Sequence, residues 1–286
     1  MYMNLCPQTV GMGNASFREL VSLANKHGFE GIDLPTHEVT TISQAEQAAE
    51  EIKAAGLNWG LFSLPMDYLQ GDDTSFAEGL VRLEGILPTV KAAGCTRAYN
   101  HVWPGSNTME FKENFKWHVE RLKKLTDLLG RYNVRLGLEF IGPKTLRDSF
   151  KYPFIYSLVQ VAELAEAVSP DLGLVIDCFH WYTSGGTLDD LRDSLTGRHI
   201  VNVHVNDAVF GRTREEQLDL ERAMPLSTGI IDAVGVVKIL RALKYDGPVI
   251  CEPFNPTIGR LKALPNEQAA GEVAERMKDL FRKSQE

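Results

Sequence analysis

Val134-Arg135-Leu136-Gly137-Leu138-Glu139-Phe140-Ile141 is the stretch that decides the architecture. Val134, Leu136, Leu138 and Phe140 alternate with Arg135, Gly137 and Glu139, which is the period-two pattern of a strand with one apolar face. The apolar face must meet helices, so the other face, with Glu139 at its C-terminal end, turns inward. Three further apolar runs end the same way: Leu172 to Ile176 before Asp177, Ile200 to Val203 before His204, and Pro248 to Cys251 before Glu252. A buried carboxylate costs several kcal/mol unless it is paired or bound to a cation. Three acids and an imidazole converging from strand ends therefore imply a divalent metal.

Working outward, extended segments alternate with helical ones along the whole chain. Strands are expected over Tyr2 to Cys6, Gly31 to Leu34, Leu57 to Leu64, Cys95 to Val102, Val134 to Ile141, Leu172 to Phe179, His199 to Val205 and Pro248 to Phe254. Helices are expected over Phe17 to His27, Ser43 to Ala55, Phe76 to Ala93, Phe115 to Tyr132, Ile155 to Val168, Leu188 to Leu195, Val234 to Leu243 and Asn266 to Phe281. A strand followed by a helix, repeated to the end, is the pattern of a (β/α)8 TIM barrel formed by residues 1–286 as a single domain. Glycines at His27-Gly28, Ala55-Gly56, Ala93-Gly94 and Asp246-Gly247 mark short helix-to-strand turns. The strand-to-helix joints, 63–75, 101–109, 141–156 and 206–232, are longer and richer in polar and aromatic residues, so function is expected on that side. An open doubly wound sheet would want a glycine-rich phosphate fingerprint after the first strand, and Gly11-Met12-Gly13 is too short to be one.

Composition narrows the partners. A net charge of −8 disfavours nucleic acid, which rewards clustered Lys and Arg, and fits a small neutral or polyhydroxy ligand. Nothing approaches the run of about 18 apolar residues that spans a bilayer, and the first residues lack a basic stretch before an apolar core, so no membrane partner and a cytoplasmic location are expected. Cys6, Cys95, Cys178 and Cys251 form no Cys-x-x-Cys pair and read as buried reduced thiols.

The inward parity extends to Gly173, Val175 and Asp177, to Asn202, His204 and Asn206, and to Ile250 and Glu252. Three carboxylates and one His make an oxygen-rich set that favours Mn²⁺ first, then Co²⁺, with Mg²⁺ also suited. Six-coordination would leave about two positions for vicinal oxygens of a sugar or ketose.

At Gly137-Leu138-Glu139-Phe140-Ile141-Gly142-Pro143, Asp177-Cys178-Phe179-His180, Val203-His204-Val205-Asn206-Asp207 and Cys251-Glu252-Pro253, the chain resembles the xylose isomerase-like superfamily. The branch is that of sugar phosphate isomerases and epimerases, with ketose 3-epimerase, hydroxypyruvate isomerase and inosose dehydratase as relatives. The resemblance implies that Glu139, Asp177, His204 and Glu252 hold the metal and that Glu139 and Glu252 exchange protons with substrate. It also implies that His180 and Arg222 contact substrate oxygens. The implied reaction removes a proton next to a carbonyl to give an enediolate; the alternative is a metal-dependent lyase or dehydratase acting on an inosose or 3-oxo sugar derivative. The ketose epimerases place a further acid six residues beyond the first Glu, where this chain has Thr145.

Other residues stay open between site and scaffold. His101 and Trp103 are candidates to line a sugar pocket or to anchor a loop, and Lys144 to reach substrate or to stay solvated. Asn206 and Asp207 are candidates for hydrogen bonding to His204 or for direct contact, and Phe62 and Tyr68 for the pocket wall or for packing. A homo-oligomer is expected by analogy. An endonuclease IV-like phosphodiesterase would need more His ligands and a basic groove, and a non-catalytic sugar sensor would have no use for paired acids at an open metal site.

Overall fold

The computed structural model describes residues 1–69 and 71–286; of the joint 63–75, Gln70 lies outside the described residues. Eight strands, β1 Tyr2–Leu5, β2 Gly31–Leu34, β3 Asn58–Phe62, β4 Arg97–Val102, β5 Arg135–Phe140, β6 Gly173–Asp177, β7 Ile200–Val205 and β8 Pro248–Cys251, form one sheet. All their pairings are parallel, in the order β3-β2-β1-β8-β7-β6-β5-β4. Sequence neighbours are therefore paired in the sheet, except β3 and β4. The sheet curls until its two edge strands, β3 and β4, lie against each other.

Eight longer helices follow the strands: α1 Phe17–His27, α2 Ile42–Ala54, α3 Asp73–Ala93, α4 Phe111–Gly130, α5 Leu158–Val168, α6 Leu188–Ser194, α7 Ala233–Ala242 and α8 Asn266–Lys283. Their ends obey local chemistry. Ser16 accepts from the Glu19 N–H, Thr41 and Gln44 cap each other reciprocally, and Asp72 accepts from the Ser75 N–H, which starts α3 earlier than its apolar pattern suggests. Gly28, Gly56 and Gly94 adopt left-handed φ of 74°, 68° and 79° and end the preceding helices, whereas Gly247 is not left-handed. The joints also contain short helices over Lys144–Arg147, Cys178–Thr183 and Thr257–Lys262 that strand and helix periodicity did not reveal.

Between sheet and helices lies the main core, which takes in Val134, Leu136, Leu138 and Phe140, the apolar face expected for β5. Inside the curl, Cys6, Leu61 and Ile250 pack with Tyr99. Register shifts between β2 and β3, where Ile32 pairs with Trp59 but Leu34 with Phe62. It shifts again at the start of β7: Ile200 pairs with Leu174 but Asn202 with Val175, so Val201 is an extra residue. Gly137 and Gly173 leave room for it, since a Cβ on either would stand 3.0 Å from the Val201 Cβ or 2.5 Å from its Cγ2, respectively. The bulge restores Asn202 and His204 to the inner face.

Phe62 and Tyr68 are fully buried in the main core rather than at a pocket wall, and all four cysteines are buried and free. Among the described residues, no helix is long and apolar enough to cross a membrane. Leu122, wholly buried on α4, ties that helix to the core. Leu122→Ala should lower unfolding free energy by about 2–5 kcal/mol, read by denaturant titration of the variant against the parent.

Candidate active site

Four strand ends deliver Glu139, Asp177, His204 and Glu252 to one point, with one ligand-type atom from each lying within 4.8 Å of all the others. All four are buried. The imidazole is central: His204 Nδ1 stands 3.1 Å from a Glu139 oxygen, 3.4 Å from Glu252 and 3.6 Å from Asp177. Burial opposes a charge on this ring, but the Glu252 and Glu139 carboxylates outweigh it and hold the His204 pKa well above the ordinary value. Burial likewise pushes Glu139 upward and is overcome by His204 and His101, which hold it low. For Glu252 burial prevails and raises the carboxyl to about 8, because the nearby Arg222 is shared with Asp177.

With all three carboxylates ionised and His204 neutral, one guanidinium leaves two uncompensated negative charges. Glu139 Oε2 is buried, with His101 Nε2 3.2 Å away. Hard oxygen donors, one imidazole nitrogen and a charge deficit of this size suit a divalent cation. A ligating Nδ1 also needs a hydrogen on Nε2 and an acceptor for it. Asn202 lies 2.8 Å from Nε2, and its Oδ1 is otherwise unpartnered, so turning the amide over supplies that acceptor.

Asp177 serves twice. As the cap of the short helix Cys178–Thr183 it accepts the Phe179 and His180 N–H groups at 2.6 and 3.0 Å, while Asn206 Nδ2 braces both of its oxygens at 3.3 and 3.2 Å. That helix swings His180 over the centre. Its Nδ1 faces the Gly142 N–H at 3.2 Å, while its Nε2 lies 3.0 Å from Arg222 Nη2 and 3.9 Å from Glu139. Burial holds this imidazole neutral.

Arg222, on a long joint that also carries Arg212 and Arg214, is buried rather than solvated. Its residue pair Glu221–Arg222 forms a parallel bridge with Asn255–Pro256, and its guanidinium lies between the rings of Phe179 and Phe254 at 4.8 and 4.5 Å. From there Nη1 donates to Asp177 at 2.8 Å and to Glu252 at 2.7 Å. Asp207 anchors the same joint by accepting the N–H groups of Ala208, Thr228, Gly229 and Ile231 at 2.8–3.0 Å. The hydrogen-bond partner of His204 is thus Asn202, with Asn206 bracing Asp177 and Asp207 holding the loop.

His101 Nε2 lies 3.2 Å from Glu139 Oε2 with its side chain 45% exposed, so it joins the cluster from the open side. Trp103, 43% exposed, stands at the rim. Lys144 stands apart, its ammonium paired with Asp148 on the surface. Thr145 donates to the Gln217 carbonyl at 2.8 Å and contributes no acid. Tyr99 was not singled out as a site residue, yet its ring packs edge-on against His101 and His204 at 5.5 and 5.2 Å. The i, i+2 spacing of Tyr99, His101 and Trp103 was the signal for it.

A barrel whose strand ends gather three acids and a histidine defines a class of metal-site TIM barrels. The chain belongs to the xylose isomerase-like TIM barrel family, whose model matches residues 21–280. It is 23% identical to an inosose isomerase of Bacillus velezensis over 96% of each chain. Among solved structures it is similar to a xylose isomerase domain protein from Alicyclobacillus acidocaldarius, with a TM-score of 0.83, 25% identity and 99% of each chain covered. It is also similar to the IOLI protein with a bound zinc atom, at a TM-score of 0.80, 20% identity and 99% coverage of each chain.

Asn202→Leu should lower the affinity for a divalent ion by roughly 10–100-fold, measured by calorimetric titration, with the fold retained. At Gly142 an added Cβ would stand 2.2 Å from the His180 carbonyl oxygen and 2.6 Å from Thr183 Oγ1. Gly142→Ala should therefore cost about 1–3 kcal/mol of stability by denaturant titration, as backbone must move.

Proposed function

We propose that the protein is a divalent-metal-dependent isomerase or epimerase of a small polyhydroxy ketone. The observation that carries the reading is the convergence of Glu139 and Glu252, from strand ends three places apart in the sheet, on a point capped by His180 and Arg222. An ion held by Glu139, Asp177, His204 and Glu252 supplies Lewis acidity, which eases loss of a proton next to a carbonyl. Mn²⁺ suits the donor set best, then Co²⁺, with Mg²⁺ also accommodated.

Glu139 and Glu252 are the groups that take and return the proton, one to each side of the substrate carbon. The Arg222 guanidinium is a donor fixed by burial, with His180 Nε2 3.0 Å from its Nη2, and this pair faces the oxygen on which negative charge builds. His101, with its open side chain, orients a substrate hydroxyl, and Trp103 covers the mouth. Lys144 has no part in this reading, since Asp148 engages it. Likeness to proteins named inosose isomerase supports a ketone on a polyhydroxy ring.

Stripping the protein with EDTA should abolish turnover of inososes or ketoses, and Mn²⁺ should restore it. In deuterium oxide, label should enter the recovered carbon skeleton. Glu139→Gln and Glu252→Gln should each lower kcat by about 10²–10⁴-fold. Metal-indifferent turnover would overturn the proposal, and an unsaturated product of lower mass would make the enzyme a lyase.

A further inference from the structure

Beside the barrel mouth, the 103–109 loop and α4 enclose a cavity of about 590 Å³ that the carboxylate cluster does not use. Small-molecule sites typically measure roughly 300–1,000 Å³. Trp103, Asn114, Trp117, His118 and Phe150 supply its chemistry, and no Asp, Glu, Lys or Arg is among the described residues that line it.

One wall residue offers the cavity hydrogen-bonding capacity. Asn114 is only 3% exposed, and its side-chain amide, which has no partner among the described residues, fronts the cavity. His118, also 3% exposed, has Nδ1 2.8 Å from the Asn114 carbonyl oxygen. A carbonyl can only accept, so Nδ1 carries the hydrogen and Nε2 is a bare acceptor, buried and unpartnered. Burial depresses this imidazole to about 4, so it stays neutral at physiological pH.

The cleft is preformed. Gly105–Ser106 pairs with Tyr152–Pro153, and Ser106 Oγ accepts the Thr108 and Met109 N–H groups at 3.2 and 3.0 Å. Phe150 packs where a side chain on Gly105 would be, since a Cβ there would stand 2.4 Å from its own Cβ. The Trp103 and Phe150 rings lie 6.4 Å apart. Trp103, on the cleft wall, follows His101 by two residues, a step of about 7 Å along an extended chain, which puts that wall near the cluster that His101 joins.

We propose that this cleft holds a neutral pyranose-type ring, and hence that the substrate carries a second sugar unit attached to the ring that reaches Glu139 and Glu252. Aromatic walls take the apolar face of such a ring. The Asn114 amide both donates to and accepts from its hydroxyls, and the neutral His118 ring adds to the aromatic wall. The uncharged lining gives a phosphate or carboxylate no counter-ion, and a flat apolar ligand would leave the Asn114 amide unmatched. The inference rests on the sugar chemistry proposed above only for what lies at the acid cluster.

The test titrates the full chain, with and without Mn²⁺, with methyl β-D-glucopyranoside, cellobiose and indole, following tryptophan fluorescence. The expected result is saturable binding of both glucosides in preference to indole, weakened about tenfold or more by Asn114→Leu. Trp103→Leu, which alters an exposed rim residue, should weaken it similarly and serves if the first variant fails to fold by circular dichroism. No saturable binding, unchanged binding in a folded variant, or preference for indole would overturn the inference. Metal-dependent turnover of single-ring ketoses with an unresponsive cleft would sink this inference alone. Glucoside binding without metal-dependent turnover would sink the metal-site reading alone.

Discussion

Three carboxylates crowd one imidazole nitrogen, and the surrounding structure is arranged around that repulsion. His204 Nδ1 faces Glu139, Glu252 and Asp177 within 3.6 Å, in an interior where like charges are screened far less than in water. Arg222 offsets part of the charge and cannot offset all of it. The remainder is the physical reason these residues could hold a divalent cation.

Holding such groups together requires rigid neighbours, and the chain supplies them from every side. Asn206 and the first turn of the short helix Cys178–Thr183 fix Asp177, so this member of the acid cluster also aims His180. Arg222 is gripped between Phe179 and Phe254 and by Asp219, while Asp207 collects four backbone N–H groups to hold the joint that carries it. The bulge at Val201 is part of the same construction, because without the extra residue Asn202 and His204 would turn to the helix side. Gly137 and Gly173 accommodate it by carrying no side chain.

The mouth has two unlike compartments side by side. One is charged, buried and dense with acids; the other is aromatic and neutral, with an open amide. Trp103 belongs to the rim of both. Its spacing from His101 and Tyr99 makes β4 the partition between them, one face of a single strand setting chemistry below and shape above.

Read from residues alone, the chain declares its alternation of strands and helices, the inward side of each strand and the four residues at the C-terminal ends. Those features are local: parity follows from a two-residue period, and a capped helix begins at its own Asp or Thr. The path of the joints was decided only by tertiary structure. Nothing near Arg222 in sequence marks it as buried, because Asp177, Phe179, Glu252 and Phe254 that enclose it come from other strand ends. Lys144 found Asp148 four residues away, and Phe62 and Tyr68 went to the core, for reasons of packing that composition does not encode. The neutral cleft is of the same kind, since Trp103, Asn114 and Phe150 lie on three separate segments and meet only when Gly105 lets them. Local periodicity orients side chains within an element, whereas burial and partnership depend on which elements arrive beside it, and that depends on the closed curl of the whole sheet.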